Sequence, residues 1–160
     1  MSLSSKIDDK KQALDLWNNH KKELAENCLK KIEDHTLCGN DDNAYPTQGK
    51  IYFTELGENI GYEINRPHPA LVISKNQYNK TGTVIIAPLS SGKIRNHKHI
   101  LGCQYILRAR NYNYLAKDSV VKLDQMRCIS VNRLINYRGK ISDEDMKAIK
   151  RRIKKTFDID

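Results

Sequence analysis

From residue 50 onward the chain breaks into short apolar runs with little helix-forming sequence between them. That pattern most constrains the fold, because five or more short strands in succession suit a small antiparallel barrel or a curled sheet. The runs fall at residues 50–54, 70–74 (ALVIS), 83–89 (TVIIAPL), 100–108, 119–123 and 126–130. Asn79-Lys80-Thr81-Gly82 reads as the turn between the second and third runs. A long loop rich in Gly, Asn and Pro, residues 56–69, separates the first two.

Helices flank this region. Residues 5–35 carry Leu14, Trp17, Leu24, Cys28 and Ile32 on one stripe, interrupted by Lys21. Ser5 is the expected cap, with Asp8 three residues on. Such a stripe is expected to dock on its own domain; a partner-binding or dimerising helix is the alternative. Residues 38–48, CGNDDNAYPTQ, are turn formers and mark the expected boundary between a helical segment, 1–48, and a barrel domain, 49–160. At the other end Ser142 caps a second helix. Acids fill its first turn, bases its later turns, and Met146, Ile149, Ile153 and Phe157 form its buried stripe.

A chain of 160 residues can bury a core without disulfides or a structural metal. Cys28, Cys38, Cys103 and Cys128 are irregularly spaced and make no disulfide framework. No apolar run approaches the ~20 residues of a membrane span. The opening MSLSSKIDDKKQ lacks the apolar core of a signal peptide, so a cytoplasmic protein is expected.

Charge divides the chain as the pattern does. Residues 1–48 hold 7 lysines and 9 acids, a net −2, whereas residues 49–160 hold 21 bases and 10 acids, a net +11. An anionic partner is expected for the second part, nucleic acid first. Residues 91–117 contain Lys93, Arg95, Lys98, Arg108, Arg110 and Lys117, no acid, and the interleaved rings of His97, His99, Tyr105, Tyr112 and Tyr114. Cations neutralise phosphates and aromatic rings stack on unpaired bases, so this tract suits single-stranded RNA or DNA.

Other chemistries find little support. Cys28, His35 and Cys38 fit no usual zinc spacing, and His97 with His99 lacks a third ligand, so no metal or other cofactor is expected. There is no phosphate-binding glycine motif and no G-x-S-x-G. The long loop, by contrast, holds Glu63, Arg66 and His68, and the third run ends at Ser90 and Ser91. If those two runs are neighbours, a base, a cation and a hydroxyl meet at one rim. Cleaving RNA through its own 2′-hydroxyl needs those three kinds of group.

These stretches also carry a family resemblance. GKIYFTELGENIGYEINRPHPALVISKNQYNKTGTVIIAPLSS, followed by DSVVKLDQMRCISVNRL and the last helix, resembles the MazF/PemK toxins from about Gly49 to Phe157. The resemblance implies an SH3-like β-barrel of the MazF/PemK/CcdB type with a C-terminal helix, here with an N-terminal helical extension. It implies a homodimer and a metal-independent endoribonuclease that cuts single-stranded RNA at short motifs. The ends left would be 2′,3′-cyclic phosphate and 5′-hydroxyl. It further implies an antitoxin whose acidic, flexible tail occupies the RNA groove.

Carried over residue by residue, the family's arginine before a proline falls on His68, with Arg66 two positions earlier also preceding a proline. The cationic role belongs to one of them, and both are expected to be catalytic, together with Ser90 in place of the family's threonine. Glu63 matches a loop acid of the family. It is grouped here with Ser91, Lys93, Arg95, Lys98, Arg108, Arg110 and Tyr112 as RNA-binding. Gln125 and Arg127 match the second block in structural or dimer-supporting positions. Two other readings stay open: a CcdB-like toxin acting on DNA gyrase, and a non-catalytic RNA-binding module.

Overall fold

A computed structural model describes residues 2–36, 45–91 and 100–159. Cys38, Lys93, Arg95, His97, Lys98 and His99 lie outside the described residues.

The chain opens with α1 (Leu3–Glu33), capped by Ser2, whose hydroxyl accepts the amide of Ser5. Ser5 is therefore inside the helix rather than its cap. Seven strands follow: β1 (Lys50–Glu55), β2 (Pro67–Val72), β3 (Thr83–Ser90), β4 (Tyr105–Leu107), β5 (Ser119–Val121), β6 (Arg127–Ser130) and β7 (Leu134–Lys140). They form one antiparallel sheet in the order β4-β5-β3-β2-β1-β7, with β6 pairing β3 beside β5. The sheet curls without closing on itself. The expected turn at Asn79–Gly82 is a short 3₁₀ helix, Asn76–Thr81, ended by Gly82 at φ 83°. Only a residue free of a Cβ adopts that angle without strain.

The curl creates two cores, one on each face. Ile51, Leu71, Ala87, Leu89, Val121 and Leu123 pack on one face under α2 (Asp143–Phe157). Leu56, Ala70, Val72, Val84, Ile86 and Ile129 pack on the other, under the β1–β2 loop. This follows from the period of two: Leu71 and Ala87 sit opposite each other, as do Ala70 and Pro88 one step along. In α2, Ser142 accepts the amide of Asp145, and Met146 and Ile149 are buried. Burying two such side chains contributes about 2 kcal/mol each. Ile153 is half-buried, and Phe157 departs from expectation at 56% exposure, because the helix outruns the sheet in its last turn.

α1 docks on its own sheet, but lightly. Trp17, Leu24 and Cys28 are half-buried while Leu14 and Ile32 remain exposed. Polar contacts do much of the holding. Asn132 Nδ2 donates to the Leu24 carbonyl (2.9 Å), and Lys31 Nζ donates to Asn132 Oδ1 (2.7 Å). Among the described residues no helix is long and apolar enough to cross a membrane.

Candidate active site

Local backbone chemistry opens the sheet at one end. Ile73 N donates to Ile85 O across the β2–β3 boundary, so the odd residues of β2 present their amides to β3. Pro69 and Pro67 lie on that series and have no amide to give. The β2–β3 ladder accordingly ends at Ala70↔Pro88. Beyond it, Leu89 and Ser90 turn to pair with Val121 and Val120 of β5. A cavity of about 320 Å³ lies at the gap, lined by Pro69, Ser91, Lys117, Ser119 and Arg138 among others.

His68 and Ser90 stand at this opened end. Continued by two residues, the register of Ala70 and Pro88 puts them opposite one another. The alternation puts both on the face of the second core, shared with the fully buried Thr54, which pairs His68 across β1. Among the described residues no hydrogen bond joins the His68, Arg66 and Ser90 side chains. His68 Nδ1–H donates to the Arg66 carbonyl at 3.3 Å. The bond fixes the ring and leaves Nε2 for a proton.

Arg66 holds an unusual backbone, φ 65°, in the left-handed region that side chains disfavour. Its amide donates to the Gly57 carbonyl at 2.7 Å, which closes the neck of the β1–β2 loop. Strained non-glycine residues of this kind cluster at functional sites. The Arg66 side chain is 76% exposed, and its Nε pairs with Glu58 Oε1 at 3.3 Å. Glu58 is nearly buried and is also paired with Lys10 (2.6 Å). The Lys10 hydrogen bond first, opposed by burial and helped by Arg66, holds its carboxyl below the usual carboxylate range.

Gln125 anchors the rest of the loop. Its Oε1 accepts the Ile64 amide at 2.8 Å and its Nε2 donates to the Tyr62 carbonyl at 3.0 Å. Glu63 is exposed at the tip beside Tyr62, whose side chain is fully open to solvent.

The other expected RNA contacts separate into two groups. Arg110 and Ser91 are exposed. A wide cleft of about 720 Å³, whose lining includes Arg110, Tyr114, Lys140 and Asp143, adjoins the cavity at the gap through Tyr114. Arg108 instead pairs with Asp118 at 2.8 Å, while Asp118 also accepts the Ala109 amide, so this arginine ties down a turn. Tyr112 is corrected outright as a stacking residue. Its ring is buried in the core under α2, and its hydroxyl donates to Asp145 and accepts the Ser142 amide. The sequence pattern does not single out Arg138 or Tyr62. Arg138 lies on β7, a strand without apolar alternation, and Tyr62 sits in a loop read for its charges. An aromatic next to Glu63 was the available signal.

A family model for the PemK-like, MazF-like toxins of type II toxin–antitoxin systems matches residues 47–157. The chain belongs to this family. It is 31% identical over 104 residues to endoribonuclease EndoA of Bacillus subtilis, covering 62% of this chain and 83% of that protein. Endoribonuclease MazF of Staphylococcus saprophyticus is 28% identical over 102 residues, covering 64% and 82%. A crystal structure of MazF from Deinococcus radiodurans superposes with a TM-score of 0.59 at 20% identity, over 72% of this chain and 98% of that one, so the fold is of the MazF type. Helix α1 lies outside the MazF/PemK match.

Proposed function

We propose that this MazF/PemK toxin is an endoribonuclease that cuts single-stranded RNA by transfer to its own 2′-hydroxyl. One observation carries the reading: His68 and Ser90 share a face at the opened end of two neighbouring strands, with Arg66 two residues before His68 in the chain. His68 Nε2 takes the proton from the ribose 2′-OH, and the 2′-oxygen attacks the adjacent phosphorus. The bond from phosphorus to the 5′-oxygen breaks, and that oxygen takes a proton from water. Arg66 neutralises the charge gathering on the phosphoryl oxygens while the Ser90 hydroxyl donates to one of them. The products are a 2′,3′-cyclic phosphate and a 5′-hydroxyl, and these residues need no metal to form them.

A basic track of Arg110, Lys140, Lys117 and Arg138, with Ser91, lies on the other side of the gap from His68 and Ser90 and holds the phosphates flanking the one that is cut, with Lys93, Arg95 and Lys98 following Ser91 in sequence. Glu63 and Tyr62 meet the bases at the loop tip. In this reading residues 49–160 carry the activity and residues 1–48 are an added segment. A homodimer in the cytoplasm is held in check by an antitoxin with an acidic tail competing for the same basic track. The family match favours neither a gyrase-directed toxin nor a non-catalytic module.

Incubation with a long single-stranded RNA in EDTA, at about pH 6 and about pH 8, tests the proposal. Discrete cuts with 5′-hydroxyl ends are expected, with a rate that differs between the two. Intact RNA from antitoxin-free protein in both would overturn it.

A further inference from the structure

The β1–β2 loop is gripped from outside the family-matched region. Glu58, 11% exposed at its side chain, divides its two oxygens between two cations: Oε2 lies 2.6 Å from Lys10 Nζ on α1, and Oε1 lies 3.3 Å from Arg66 Nε. Lys10 also reaches Asn65 Oδ1 at 3.5 Å, immediately before Arg66. One helical face further along, the Trp17 indole lies against Gly57. A Cβ on Gly57 would come within 2.4 Å of that ring. Gly57 is the residue whose carbonyl accepts the Arg66 amide. Helix α1 therefore touches both the neck of the loop and the counterion of its arginine.

We propose that Lys10 and Trp17 are positioning residues for the active site, and that Lys10 keeps the Arg66 guanidinium available to a phosphate by sharing Glu58 with it. The proposal rests on the ribonuclease reading above. Among the described residues only Nε of Arg66 is engaged, which leaves the rest of the planar fork open. A carboxylate with a single cationic neighbour draws a guanidinium into a two-pronged pair. Without Lys10, the whole charge of Glu58 faces Arg66, and the fork closes on the carboxylate instead of on RNA. Trp17 keeps α1 in register by filling the space that Gly57 leaves.

The test uses the full chain. Lys10→Met should raise KM for single-stranded RNA about fivefold, the upper range for a partly exposed ion pair, with kcat little altered. Adding Glu58→Gln to Lys10→Met should restore KM, because an uncharged side chain no longer captures Arg66. A purely structural lysine would not be rescued in this way. An unchanged KM in Lys10→Met, or a double variant as impaired as the single one, would overturn the proposal. Hydrogen exchange at the Arg66 amide gives a readout without cleavage. Faster exchange in Lys10→Met supports the grip of α1 on the loop, and equal exchange refutes it. A wild-type protein that cuts no RNA would refute the ribonuclease reading, and the exchange result would then judge the grip separately.

Discussion

His68 Nδ1 lies 3.3 Å from the carbonyl oxygen of Arg66, the residue two positions before it. The left-handed turn at Arg66 brings that oxygen round to the ring. One residue thus orients the proposed base with its backbone and offers charge with its side chain. His68→Asn keeps a donor near the position of Nδ1 and removes Nε2. Its cleavage rate should fall about 10²-fold or more while RNA binding persists, as single-turnover rates and filter binding would show. Equal rates would remove His68 from the chemistry.

Arg138 lines the cavity at the gap, and its guanidinium lies 5.3 Å from the Phe53 ring centroid. Arg138→Ala should weaken binding of all single-stranded RNAs alike. The slope of log affinity against log salt should shrink by about 0.7, the value for one phosphate contact on a single strand. A loss confined to one sequence would instead make Arg138 a base reader.

Tyr62 stands free at the loop tip. Stacking on an unpaired base is worth about 1–3 kcal/mol, so Tyr62→Ala should weaken RNA binding by roughly that much and Tyr62→Phe should not. Melting temperatures of both variants should match the wild type, because this ring is fully exposed.

Acid should loosen the loop before it unfolds the protein. The Glu58 carboxyl is held below its ordinary value, chiefly by Lys10 and then Arg66. A depressed value stabilises fully above the unfolded-state pKa of about 4.3 and is lost as pH falls through the folded-state value. Emission from Trp17, the only tryptophan, should hold steady down to about pH 5 and change below about pH 4. Glu58→Gln should abolish that transition.

High pH strains a different place. Tyr105 donates to Asp145 on α2 at 2.5 Å, and burial with this bond raises its pKa to about 12. A raised value stabilises the fold below the unfolded pKa of about 10, and that contribution disappears as pH climbs through the folded one. Wild-type melting temperature should therefore drop between about pH 10 and about pH 12. Tyr105→Phe should start lower at neutral pH and drop less across the same interval.

The readable parts of the sequence were those where one residue type has one job. Ser142 with three acids behind it marked α2, and the β-branched run in β3 marked the central strand. β7 is not legible in the sequence because four consecutive positions, Ile135–Arg138, are exposed, so no alternation survives in its composition. β2 begins at Pro67, three residues earlier than its apolar run, because pairing with β1 tolerates prolines that pairing with β3 does not. At the site, His68, Arg66 and Ser90 were visible as types, and their shared end of the sheet followed from neighbouring strands. The roles of Lys10, Trp17 and Arg138 depend on contacts spanning some 40 residues or more of chain, which local spacing does not encode. Tyr112 looked like a base-stacking ring only because a buried tyrosine and an exposed one are the same letter.

Pro67 and Pro69 also decide what the opened sheet cannot do. A strand edge left bare usually invites another chain to add itself and begin an aggregate. Here the bare stretch of β2 has no amide at the two positions that would recruit such a strand. The gap can stand open to water, ready for a ligand held by side chains, without serving as a template for misassembly between copies.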